Sequence, residues 1–175
     1  MTSIFSLTAM LLYAGAWIAL LRTLSSDEPR HRVGTFDGLL GYLAVMAHGL
    51  VLVPEFFLDG HPNLALGSTF SLIALIIAAL FLAARLFQPV QGLGVLIFPS
   101  AFAGVGFGWL LPGPAYAAKL HGVTSLFHLL GAGLAYALLS LSLAQALLLH
   151  LHDRDLKRKR AGGFFKSFPP IQTME

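Results

Sequence analysis

Two histidines stand inside long apolar stretches, and they are the groups best suited to chemistry in this chain. His48 lies within Val45-Met46-Ala47-His48-Gly49-Leu50, and Glu55 follows it at i+7, two turns on and on the same helical face. His128 lies within Ser125-Leu126-Phe127-His128-Leu129-Leu130, with His121 one i, i+7 step before it and Tyr136 two turns after it. An ionisable group inside a bilayer is costly, so each such residue is a candidate for function. Neutral imidazole binds iron or zinc and carries protons near neutral pH. An apolar pocket with two axial histidines is what a membrane haem (heme) site requires. A plainer reading stands beside this one, since a single membrane histidine often only hydrogen-bonds a neighbouring helix. His61 and His121 fall in polar loops, where water satisfies them. Glu55 sits at a span end, and His150 and His152 adjoin a basic tail, where long or polar side chains reach the interface.

The elements that must position these residues follow from composition. The 175 residues are 57% hydrophobic and 11% charged, with a mean hydropathy of +0.78. A soluble domain carries roughly 25% charged residues, so this chain lacks the polar surface that water demands. A span needs about 20 mostly apolar residues at about 1.5 Å each. The sequence predicts an all-α, polytopic transmembrane helix bundle with spans near 4–21, 38–57, 64–87, 93–111 and 124–152. The segments between them, Arg22 to Asp37 and Leu58 to Asn63 among them, read as loops, and Pro99 is expected to break the fourth span. Residues 1–152 form the five-span domain and 153–175 a basic tail.

Arginine and lysine set the orientation. The first loop holds Arg22, Arg30 and Arg32, the third holds Arg85, and the fourth holds Lys119. The remaining six of the eleven basic residues lie in the tail, which is therefore expected in the cytoplasm, with the N-terminus outside. His48, His121 and His128 then fall in the outer half of the bilayer, where with Glu55 and His61 they are expected to share one outward-facing pocket. The tail meets anionic lipid, and no nucleic-acid role is expected. Cysteine is absent, which excludes disulfides, iron–sulfur ligation and thiol catalysis. There is no nucleotide loop, no zinc-protease pattern and no nucleophile with a base at useful spacing, so an enzyme is not expected. Trp17 and Trp109 read as interfacial belt residues. Gly104 with Gly108, and Gly131 with Ala135, have the spacing that lets membrane helices pack closely.

From Asn63 onward the order of features resembles a known family. Asn63-Leu64-Ala65-Leu66 opens a Ser-containing apolar helix, and a Pro-containing fourth span follows. Then comes Leu126-Phe127-His128-Leu129-Leu130-Gly131-Ala132-Gly133-Leu134-Ala135-Tyr136-Ala137, a charged segment from Asp153 to Lys159, and finally Phe168-Pro169-Pro170-Ile171-Gln172-Thr173-Met174-Glu175. Together these resemble the N-terminal part of the cytochrome c assembly protein family, the haem-handling group that includes the CcsA and CcmC proteins, and most of all its HemX/YpjD-like branch. The resemblance implies a bacterial cytoplasmic (inner) membrane protein that binds haem and presents it outside for attachment to apocytochrome c. It implies other cytochrome c assembly proteins as partners. By that likeness His128 matches an external haem-ligand histidine, and His48 matches the buried histidine of the second span. His121, Glu55 and Tyr136 line the same expected site. The tryptophan-rich external segment of the best-known members has no counterpart here. The family continues through further spans, so the resemblance also implies that these five begin a larger bundle, which supplies the second external histidine.

Three functions are therefore expected in order: a haem-binding or haem-presenting component of cytochrome c biogenesis, a cofactor-free membrane regulatory protein of haem metabolism, and a small transporter using His48 and Glu55.

Overall fold

The computed structural model describes residues 2–25, 30–56, 63–111 and 123–157. They form five α-helices: α1 (Thr2–Ser25), α2 (Arg30–Phe56), α3 (Leu66–Phe87), α4 (Gly94–Leu110) and α5 (Val123–Lys157). A 3-10 turn, Gln91–Leu93, leads into α4. Each helix, α4 together with the 3-10 turn before it, contains an apolar run of 18 to 25 residues, long enough to cross a membrane. Apolar chains take this form in lipid because a helix satisfies its own backbone N–H and C=O groups.

The first difference from expectation lies in α2. Its helix begins at Arg30, so Asp37, expected to close a polar loop, sits inside a helix and inside the packing. The reason lies on α3. Arg85 Nη1 and Nη2 donate to the two carboxylate oxygens of Asp37 at 2.5 and 3.1 Å. Both side chains are buried, at 0% exposure for Asp37 and 8% for Arg85. Two charges that would each be costly in an apolar interior are tolerable there as a hydrogen-bonded pair. This pair defines one end of the bundle, called here the Arg85 end. The opposite end, where α3 begins, is the Asn63 end.

Close approach between α3 and α4 follows from small residues in constant antiparallel register. A Cβ added at Gly104 would collide with the Ala74 Cβ, and one at Gly108 would press on Ser71. Nearer the Asn63 end, Gly67 lies against the Leu111 carbonyl. The spacing of Gly104 and Gly108 thus serves the purpose expected of it. Gly131 and Ala135 do not serve it within these five helices: both are exposed, and nothing lies within 4 Å of a Cβ placed at Gly131.

Pro99, expected to break the fourth span, does not: α4 runs through it. Proline has no N–H, so the carbonyl one turn earlier, at Val95, loses its intrahelical donor. The Trp17 indole Nε1 of α1 donates to that carbonyl at 3.1 Å. Trp17, expected as a belt residue, completes the hydrogen bonding of a facing helix. Trp17→Phe is expected to destabilise the bundle by about 1 kcal/mol, measured by unfolding in mixed micelles. In a Pro99→Ala background, where the restored backbone N–H can reach the Val95 carbonyl, the same change is expected to cost less.

The core gathers Tyr13, Ala16 and Leu20 of α1, Ala44 of α2, Phe81 and Leu82 of α3, and Phe98 of α4. Phe81 and Phe98 meet edge to face at 5.6 Å, an arrangement that aromatic quadrupoles favour. α2 packs chiefly on α1, and α3 chiefly on α4, while α1 and α4 close the opposite side. α5 rests on α3 and contributes Ala144 and Leu148 to the core. Its outer face, including Phe127, Leu139 and Leu143, is exposed.

Candidate intramembrane histidine site

His48 is the centre of a buried polar junction. α2 carries it inward to 1% exposure, between α1 and α3. Its Nδ1 lies 3.3 Å from the Tyr13 hydroxyl of α1, and its Nε2 lies 2.9 Å from Ser71 Oγ of α3. The Tyr13 ring meets the imidazole edge to face at 5.9 Å. A neutral imidazole offers one donor and one acceptor, and a hydroxyl can play either part. Either tautomer therefore satisfies both ring nitrogens, with Tyr13 and Ser71 taking complementary roles. Three helices are joined through one side chain.

Local sequence explains the placement of Ser71. Asn63 Oδ1 accepts from the Ala65 N–H at 3.0 Å, an Asx-type turn that sets the start of α3. Asn63 Nδ2 donates to Ser68 Oγ at 3.5 Å, at the outer limit of a hydrogen bond. Ser71 is one turn further along, and Gly108 of α4 leaves room for it. Sequence reasoning misses Tyr13 and Ser71. The signal available is weak: a tyrosine and a serine within apolar helices, with no spacing that ties them to His48.

His128 is in a different setting. It stands on an exposed part of α5, and its ring is in no hydrogen bond among the described residues. Gly131, one turn on, and Ala135 leave that surface shallow. Phe127 flanks it, 71% exposed, and Tyr136 is exposed two turns away. The described residues show no contact between His128 and His48. The Glu55 side chain, His61 and His121 lie outside the described residues, as does most of the basic tail. Among the described residues no group of three His, Asp or Glu side chains is arranged to hold a metal ion.

This geometry bears differently on the two expected iron ligands. His48 has no vacant nitrogen in this arrangement and would have to give up a hydroxyl to bind iron. His128 has an unengaged ring beside an exposed apolar surface and could hold an iron without giving up a hydrogen bond.

Among the described residues the fold and the site define a class: an all-helical bundle with five helices able to cross a membrane and a polar junction buried at its centre. Comparisons with family models, curated proteins and solved structures find no match for the chain.

Proposed function

We propose that the chain is a multi-pass protein of a bacterial cytoplasmic membrane, of the cytochrome c assembly type, that holds haem at α5 and presents it at the side where α5 begins. The observation that carries this reading is His128, an unengaged imidazole on the exposed, shallow surface of α5. It sits within the Leu126 to Ala137 segment on which the family resemblance chiefly rests. His128 would supply one axial nitrogen, and Phe127 and Gly131 the apolar surface beside it. Bound haem would supply the iron and the macrocycle to be delivered to apocytochrome c. Any further ligand to the iron would have to come from outside the described residues. Protein purified in detergent and given haem is expected to develop a Soret band that His128→Ala weakens by tenfold or more in affinity, about 1.4 kcal/mol. No haem uptake by the unaltered protein would end this reading.

A second reading has its own support. The exposed Gly131 and Ala135 pair on α5 suits close docking of another membrane helix. In that case the chain is a cofactor-free regulatory protein, and a membrane partner co-purifies with it whether or not His128 is present.

A further inference from the structure

The helix α5 leans on one neighbour and stands off from another. It passes Ile76 of α3 at Gly133, shares a groove with Leu96 near the start of α4, and meets the 3-10 turn before α4. Its later half therefore lies at the Arg85 end. Between that half and α4 the groove measures about 340 Å³, and α3, which packs on both, forms its floor. Phe70 and Ile77 of α3, Leu96 of α4, and Leu143 and Leu147 of α5 line it.

The chemistry of this groove suits hydrocarbon. Its two lining hydroxyls are bonded to their own helices, Ser100 Oγ donating to the Ile97 carbonyl and Ser140 Oγ to the Tyr136 carbonyl, each at 2.8 Å. The other lining side chains are apolar. The groove is also narrow. Phe70 to Ile77 is about 10 Å of helix, and a helix about 10 Å across would fill roughly 800 Å³ over that length. That is more than twice the space, which fits an acyl chain and not a membrane helix. Left empty, the groove forfeits the dispersion contacts of its walls.

One flank of α5 carries the groove on to the membrane surface. Ser140, Leu143 and Leu147 line the groove, and Arg154 follows Leu147 at i+7, two turns on and on the same face. The apolar run of α5 ends at Leu151. Arg154 stands about one turn beyond it, at the depth of lipid phosphates, and is exposed. Asp153 and Asp155 fall about 100° to either side of it on the helix. From Asp153 to Arg160 the chain holds five basic residues against two acidic ones, a balance that favours an anion.

We propose that this groove binds an anionic glycerophospholipid from the leaflet at the Arg85 end, with an acyl chain between α4 and α5 and the phosphate against Arg154. A guanidinium bonds phosphate oxygens in pairs, which fixes the head while the groove fixes the chain. The bound chain fills the space between α5 and α4 and so seats α5 on the bundle. The proposal does not depend on haem binding at α5.

Native mass spectrometry of the detergent-purified protein, titrated with phosphatidylglycerol or with phosphatidylcholine of the same chains, tests this. The unaltered protein is expected to hold phosphatidylglycerol about fivefold more tightly, the worth of one interfacial arginine. Arg154→Gln is expected to abolish that preference. Arg22→Gln, which removes an exposed cation of α1 at the same end, is expected to leave it. Ser140→Phe from α5 and Ser100→Phe from α4 each fill the groove and are expected to weaken both lipids about fivefold or more. The two come from opposite walls, so a folding failure of one leaves the other as the test. Equal affinity of the unaltered protein for the two lipids overturns the proposal, as do equal losses in Arg154→Gln and Arg22→Gln, which describe a charged surface and no site. Lipid binding unchanged by the filled groove also overturns it. So does a second copy of the chain bound in place of lipid and released by Ser140→Phe, which would make the groove a protein interface.

Discussion

Arg85→Met is expected to cost the bundle about 3–5 kcal/mol, a large share of the stability of a chain this size. The substitution leaves Asp37 with no exposed surface and without the cation that accounts for its burial. A carboxylate so placed must either remain charged in an apolar interior or take up a proton and find a new partner. Asp37→Leu takes the carboxylate away from the buried guanidinium and is expected to destabilise as well. The double change Asp37→Leu with Arg85→Met is expected to lie within about 1–2 kcal/mol of the starting protein, because apolar residues of similar volume replace a buried pair at little net cost. Unfolding by denaturing detergent in mixed micelles measures all three variants. A double variant as unstable as the singles would show that Asp37 and Arg85 matter through some other contact.

The second large effect belongs to His48. His48→Leu is expected to destabilise by about 1–3 kcal/mol, the cost of leaving a buried hydroxyl unsatisfied. Of the two hydroxyls it strands, Ser71 can turn to its own helix, whereas the Tyr13 hydroxyl stands too far from its backbone to do so. Tyr13 therefore carries most of the loss, and adding Tyr13→Phe to His48→Leu is expected to recover much of it. His48→Gln retains a donor and an acceptor and is expected to cost less than His48→Leu. These comparisons separate a polar junction from simple filling of space, for which the Tyr13→Phe addition would change nothing.

Much of the helical framework was legible in the apolar runs, because a bilayer-length stretch of low charge has few other ways to satisfy its backbone. His48 was legible as an anomaly for the same reason. Gly104 and Gly108 were legible as a packing face, and the structure assigns that face to α3. The rest depends on partners far apart in sequence. Arg85 and Asp37 are 48 positions apart, and each alone resembles an ordinary span-end charge. Tyr13 and Ser71 gain meaning only when three helices converge. Trp17 is an intermediate case. Pro99 signalled a carbonyl in need of a donor at Val95, and a search for that donor on a neighbouring helix would have led to it. Glu55, His61 and His121 were chosen for depth and helical face, and their side chains lie outside the described residues.

The two membrane histidines are assigned opposite duties: His48 joins helices, and His128 is open to a ligand. Haem titration of the detergent-purified protein beside its His48→Gln and His128→Ala variants tests this most directly. The Soret band of the unaltered protein is expected to persist in His48→Gln and to fall in His128→Ala, while stability drops in His48→Gln alone. A Soret band lost in His48→Gln and retained in His128→Ala would contradict that assignment.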